Sequence, residues 1–195
     1  MYPLLIASVL ALAVSLERLV YFARLESGGE NFIQKLRQFI AAKQIKEAIA
    51  WLHGLSGPVP SVVEMGLRNW DQSDKVVEDA LAAQSHVEFS DLHSNLGLLE
   101  TIVTASPLVG LLGTITGMMG VFRAVSEKLA QSPTADTSSI LAGIGEALIA
   151  TATGILVAVF CLLCHNFFQA MAERQMNATQ RAVNELLMLR HQEKA

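Results

Sequence analysis

Charged side chains crowd into two regions of the chain and almost vanish from three others. Residues 3–22, 101–125 and 140–168 are near-continuous apolar runs; Glu17 and Arg18 stand near the end of the first, Arg123 near the end of the second, and Glu146 is the sole acid of the third. Each run meets or exceeds the roughly 20 residues needed to cross a hydrocarbon core. The last, about 29 residues or roughly 43 Å of helix, must tilt or project beyond the bilayer. The pattern predicts an all-α integral membrane protein with three transmembrane helices.

The intervening residues 23–100 follow a helical period. Phe32, Ile33, Leu36, Phe39 and Ile40 recur on one face, and Ile45, Ile49 and Leu52 continue it. The Gly- and Pro-rich residues 54–60 break that run. A further helix is expected over 61–70, and a long one, starting after 71–74, is expected to run through His86 and Leu92 into the second span. Residues 126–139, with Pro133 and many small polar side chains, predict a solvated loop between antiparallel spans, and 169–195 a helical tail.

Composition and charge narrow the class. At 52% hydrophobic residues and a mean hydropathy of +0.41, the chain is too apolar for an ordinary soluble domain. A net charge of −4 without a basic cluster gives no reason to expect nucleic acid. The apolar start has no Lys or Arg before it and no small-residue cleavage site, so it reads as a retained first span rather than a leader. Arg24, Lys35, Arg37, Lys43, Lys46, Arg68 and Lys75 lie between spans one and two, and Arg174, Arg181, Arg190 and Lys194 in the tail; the loop after span two has Lys128, with Arg123 at its edge. By the positive-inside rule, 23–100 and the tail are cytoplasmic, and the N-terminus and the 126–139 loop are periplasmic.

Glycine marks the two later spans. Gly110, Gly113, Gly117 and Gly120 alternate by three and four, and Gly143, Ala147 and Gly154, with Ala150, Thr151 and Ala158, do the same. Each interior glycine costs a soluble helix about 1 kcal/mol relative to alanine. In a membrane, small residues let helix backbones approach where lipid gives no hydrophobic drive, so these positions are expected to pack helices. Packing leaves Thr114, Thr151 and Glu146 unexplained. An acid inside a span costs several kcal/mol at the bilayer centre and faces protein or a watery cavity; alternatively Glu146, two turns in, snorkels to the interface near the helix N-terminus. Threonine, for its part, often bonds its own i−4 carbonyl.

Other chemistries find little support. Cys161 and Cys164 have C-x-x-C spacing next to His165, but on an apolar helix, where cysteine behaves as a small hydrophobe. His53, His86, His93 and His191 lack metal-ligand spacing, and the glycine run lacks the lysine of a nucleotide loop. No hydrolase constellation is present, so neither an enzyme nor a cofactor is expected.

Residues 106–118, Ser-Pro-Leu-Val-Gly-Leu-Leu-Gly-Thr-Ile-Thr-Gly-Met, resemble the second-span signature of the ExbB/TolQ/MotA proton-channel family. Residues 143–154, Gly-Ile-Gly-Glu-Ala-Leu-Ile-Ala-Thr-Ala-Thr-Gly, resemble its third-span signature; His165-Asn166 stands where the family commonly has Tyr-Asn, and Glu17-Arg18-Leu19 also has family counterparts. Phe160 departs from a proline frequent in ExbB and TolQ relatives. The resemblance implies that Thr114 and Thr151 line a proton pathway and that Glu146 is the lumen-facing acid. It implies a ring, typically a pentamer, around two helices of an ExbD- or TolR-like partner that carries the membrane aspartate. On the ExbB side, to which the wording is closer, the motor would serve a TonB-like protein and outer-membrane import from the bacterial inner membrane; on the TolQ side, envelope integrity. A non-conducting scaffold and an independent solute transporter are the competing classes. Three spans without inverted repeats count against the transporter.

Overall fold

The computed structural model describes residues 2–25, 28–131 and 137–194. Among these described residues seven helices follow in order: α1 Tyr2–Ala23, α2 Glu30–Ala41, α3 Ile45–Leu52, α4 Pro58–Arg68, α5 Asp74–His93, α6 Leu96–Gln131 and α7 Thr137–Lys194. Among the described residues there is no strand. An apolar window of membrane-crossing length lies within each of Pro3–Ala23, Asp74–Ser126 and Ile140–Glu193, which fits an all-α membrane protein.

The chain divides into two compact units. The first combines Met1–Glu17 with Asn95–Phe167. Its large apolar side chains point outward: Leu108, Phe122, Leu156 and Leu163 are each more than 60% exposed. Small residues fill much of its interior, with Ala11, Ala147, Ala150 and Ala158 buried beside a few larger ones, Leu4, Leu96, Leu99 and Ile102. That inversion of the soluble pattern is what a bilayer, or further apolar chains, would cover.

The second unit combines Arg18–Ser94 with Phe168–Ala195 and has a conventional core. Phe32, Leu36 and Ile40 of α2, Ala48 and Leu52 of α3, Val59, Val62, Val63 and Leu67 of α4, and Val77 and Leu81 of α5 pack against Ala178, Ala182 and Leu186 of α7. The four-residue spacing of the α7 contributors puts them on one face. At Gly66 a Cβ would meet Leu186 and Leu81 at 2.5 and 2.9 Å, so α4 is kept bare where those two leucines cross it.

Four boundaries differ from the sequence expectation. The run from Phe32 to Leu52 is two helices, because α2 ends in a Schellman turn: Lys43 sits at φ 56°, its N–H donates to Ile40 (2.9 Å), and the N–H of Gln44 donates to Phe39 (2.9 Å). Helix α4 starts at Pro58 rather than 61, since a proline at the first helical position forfeits only an N–H that has no intrahelical acceptor. The helix expected to run on into span two stops at His93, where Ser94 is extended and Asn95 adopts φ 60° before α6 begins. The predicted loop of 126–139 also narrows, with α6 reaching Gln131 and α7 beginning at Thr137. Its remainder, 132–136, lies outside the described residues.

Two arginines turn out to be buried: Arg190, counted only as a topology signal, and Arg18, noted only at the end of the first span and in the family resemblance. Arg190 is 2% exposed; its Nε donates to the Trp70 carbonyl (3.2 Å), Nη2 to the Gln72 carbonyl, and Nη1 pairs with Asp74 at 3.0 Å. It thereby ties the α4–α5 connection to the end of α7. Arg18 is 4% exposed, with Nη1 on the Asp91 carbonyl at 3.1 Å in the last turn of α5, where a cation complements the helix dipole. At the surface, the Glu185 carboxylate binds Arg37 Nε at 2.6 Å and raises the Arg37 pKa above its ordinary value.

Candidate functional site

In the first unit α6 and α7 approach backbone to backbone. A Cβ on Gly110 would lie 3.0 Å from the Ala150 carbonyl and 3.1 Å from Thr151 Cα; one on Gly154 would lie 2.6 Å from the Ser106 carbonyl. Gly113 faces Ala150 and Gly117 faces Ala147, each at 2.9 Å, and Gly143 faces Val121. Gly120 takes no part in this contact, since a Cβ there would meet nothing within 4 Å.

That approach brings two hydroxyls together. Thr114 of α6 and Thr151 of α7, both half-buried, are hydrogen-bonded to each other, and both reach the Gly110 carbonyl, at 3.2 and 3.1 Å. Thr101, Thr104 and Thr116 of α6 and Thr153 of α7 instead donate to carbonyls three or four residues back in their own helix. Two hydroxyl protons serve the three oxygens of this node. One is shared between the threonines and the other goes to Gly110, which leaves unused lone pairs on both hydroxyls. Thr114 also borders an open groove lined by Leu111, Ile115, Met118, Met119 and Phe122, so the node lies beside apolar surface.

Glu146 is placed elsewhere. It is exposed, five residues before Thr151, which is about 7.5 Å along α7 and roughly 140° around it. Within one chain the acid and the threonine pair do not share a face. At one end of the unit, Asn95 Nδ2 donates to Glu17 (3.1 Å) and His165 Nδ1 donates to the Leu96 carbonyl (3.3 Å). Both cysteines are free thiols, and among the described residues no cluster of three or more His, Cys, Asp or Glu is placed to hold a metal.

Sequence reasoning singled out both threonines but gave Gly110 only a packing role. Its i,i+4 spacing to Thr114 signals one of the two hydrogen bonds; the one from Thr151 depends on helix register. Ser106, buried at 2% exposure, was also passed over as a polar group.

Apolar helices of spanning length, joined through glycines and a cross-helix hydroxyl pair, define a polytopic membrane protein with a polar node inside its helix contact. Residues 54–181 match the MotA/TolQ/ExbB proton channel family, and the chain belongs to it. An ExbB-like biopolymer transport protein of Synechocystis sp. is 30% identical over 177 residues, covering 91% of this chain and 69% of that protein. Biopolymer transport protein exbB1 of Vibrio cholerae is 28% identical over 187 residues, covering 94% and 80%. The Tol-Pal system protein TolQ of Pseudomonas aeruginosa is 40% identical over 86 residues, covering 44% and 36%.

Proposed function

We propose that the chain is the channel-forming subunit of an ExbB-type motor in the bacterial inner membrane. Several copies, typically five, form a ring around two helices of an ExbD-like partner whose membrane aspartate takes up and releases the proton. The ring converts proton flow into movement of those helices, which energises TonB-dependent outer-membrane transport. The N-terminus and the segment between α6 and α7 face the periplasm, and the second unit faces the cytoplasm.

The observation that carries this reading is the Thr114–Thr151–Gly110 node, a cross-helix polar site in otherwise apolar spans. With its lone pairs open, the node accepts a hydrogen bond from a protonated carboxyl. When that acid loses its proton, Thr151 leaves Gly110 and donates to the carboxylate instead, while the Gly110 carbonyl keeps its helical N–H. The same two hydroxyls thus serve both protonation states and lower the cost of a charge in low dielectric. The membrane potential supplies about 2.3 kcal/mol per charge per 100 mV.

Glu146 enters through assembly. Since it does not share a face with the threonines of its own chain, its route to the pathway runs through the ring or the partner. A TolQ-type role in envelope integrity is the second reading, favoured by the 40% identity to TolQ over 86 residues.

Reconstitution of the chain with a single-span partner bearing a membrane aspartate tests the channel. Proton uptake into liposomes should require that aspartate. Thr151→Val should lower uptake about tenfold or more, the worth of one hydrogen bond to a charged group. Uptake unchanged by Thr151→Val would remove the node from the mechanism.

A further inference from the structure

Two arginines on α7 are left unpaired. Arg18, Arg37, Arg68 and Arg190 each hold a carbonyl or a carboxylate, whereas Arg174 and Arg181, both exposed, have no partner among the described residues. With Asn177, Gln180 and Asn184 they line an open groove of about 540 Å³, and residues 174–184 contain no acid. Arg174, Asn177, Arg181, Asn184 and Met188 follow a spacing of three and four and form one stripe, with Met188 55% exposed. Helix α5 carries a second uncovered stripe of the same spacing: Val76, Ala80, Ala83 and Val87, the two valines 43% and 56% exposed. Both stripes lie in the second unit, whose core is of the ordinary soluble kind, so an apolar face there calls for a protein neighbour. Asp79 and Asp91, both exposed, border the α5 stripe on either side at a turn of about 100° per residue.

We propose that the α5 stripe of one copy of this chain packs antiparallel against the α7 stripe of the next, a head-to-tail contact that closes the second units into a ring. Within a chain α5 and α7 run antiparallel, and their level is fixed by the Arg190–Asp74 ion pair at 3.0 Å and by Leu186 and Leu81 meeting over Gly66. In a ring each residue recurs at one height in every copy, so that level also holds between neighbours. Counting along both helices from the ion pair sets Met188 level with Val76, Asn184 with Ala80, Arg181 with Ala83 and Asn177 with Val87. Long side chains thereby meet small ones, as knobs meet holes, and the exposed apolar pair Met188 and Val76 cover each other. Arg174 comes level with Ser90, next to Asp91, and Arg181 crosses Ala83 toward Asp79, one turn away. The arginine stems lie on the small residues while their heads stay at the wet edge. Two α7 stripes would instead set arginine on arginine, and two α5 stripes acid beside acid. The contact rests on the multi-copy assembly proposed above and needs no proton flow.

Disulfide trapping on the full chain tests the contact, with the parent chain and its native Cys161 and Cys164 as control. Ala80→Cys and Asn184→Cys chains, tagged to differ in size and co-expressed, should give a mixed dimer on mild oxidation, while either chain alone should match the control. Ala80→Cys with Asn177→Cys should lose the mixed dimer, because a shift of about 10 Å along the helix exceeds disulfide reach. Arg174→Asp on the Asn184→Cys chain should lower the yield about two- to fivefold, the worth of one exposed charge pair, and Asp91→Arg on the other chain should restore it. An Ala80→Cys chain that pairs with itself as readily overturns the head-to-tail contact, and so does an oligomeric chain that gives no mixed dimer. A yield unmoved by Arg174→Asp overturns it as well, since the arginines then face something else. A chain that stays monomeric in detergent and in lipid nanodiscs sinks the ring and this contact together. A trapped mixed dimer in a complex that passes no protons supports the contact and counts against the channel alone.

Discussion

Glycines that look alike in the sequence divide sharply once neighbours are placed around them. Gly110 has the Ala150 carbonyl and Thr151 Cα 3.0 and 3.1 Å from where a methyl would go, closer than ordinary van der Waals contact, whereas Gly120 has open space. The neighbours at Gly110 are backbone, which cannot swing aside. Gly110→Ala should therefore push α6 from α7 at a cost of about 1–3 kcal/mol, the usual range for overpacking, and should separate the two hydroxyls. Gly120→Ala should instead gain up to about 1 kcal/mol from helix propensity. Thermal unfolding in detergent distinguishes the pair, and equal shifts in the two variants would show that the α6–α7 approach is looser than described. This difference was not legible in the three-and-four spacing, which assigns all four glycines of α6 to one face. Helix register decides which of them meets α7. The threonines, by contrast, stood out from sequence, because hydroxyls in charge-free runs need a partner that lipid does not supply.

At the level of elements, the long apolar runs were readable and the breaks were not. A helix that ends in glycine announces itself; α2 ends in a Schellman turn with Lys43 at the left-handed position, and α5 stops beside Asn95. Both are residues that a helical pattern tolerates, so periodicity ran through them. The left-handed conformation costs an L-residue about 1–2 kcal/mol, and glycine carries an entropic cost of roughly 0.5–1 kcal/mol in its place. Lys43→Gly should accordingly raise the stability of the second unit by about 0.5 kcal/mol. Chemical denaturation of the full chain, followed through Trp51 or Trp70, would read this, and a loss of stability would mean that Lys43 is held by more than the turn. Arg190 shows the same limit from another side. Counted as a tail charge, it is buried on the Trp70 and Gln72 carbonyls and on Asp74, partners more than a hundred residues away in sequence.

For the whole molecule, the decisive residue is Glu146. A lone copy in a bilayer would expose this carboxylate on a side of α7 that Thr151 does not share, and an ionised acid near the bilayer centre costs several kcal/mol unless protein or water receives it. Sequence pattern and family resemblance name the residue, but no reading of one chain supplies the surface that receives it. The proposed assembly does, by setting the acid against a neighbouring copy or the partner's helices. If Glu146 belongs to the proton route, Glu146→Gln keeps the side chain's size and hydrogen-bonding capacity and removes its charge. The variant should then co-purify with its partner as wild type does, and should slow proton uptake about tenfold or more. A scaffold role gives the opposite pair of results, with assembly altered and uptake per assembled complex unchanged. Measuring partner stoichiometry and uptake on the same preparation separates the two, because only a charge that acts on the moving proton lowers flux through a ring that has formed normally.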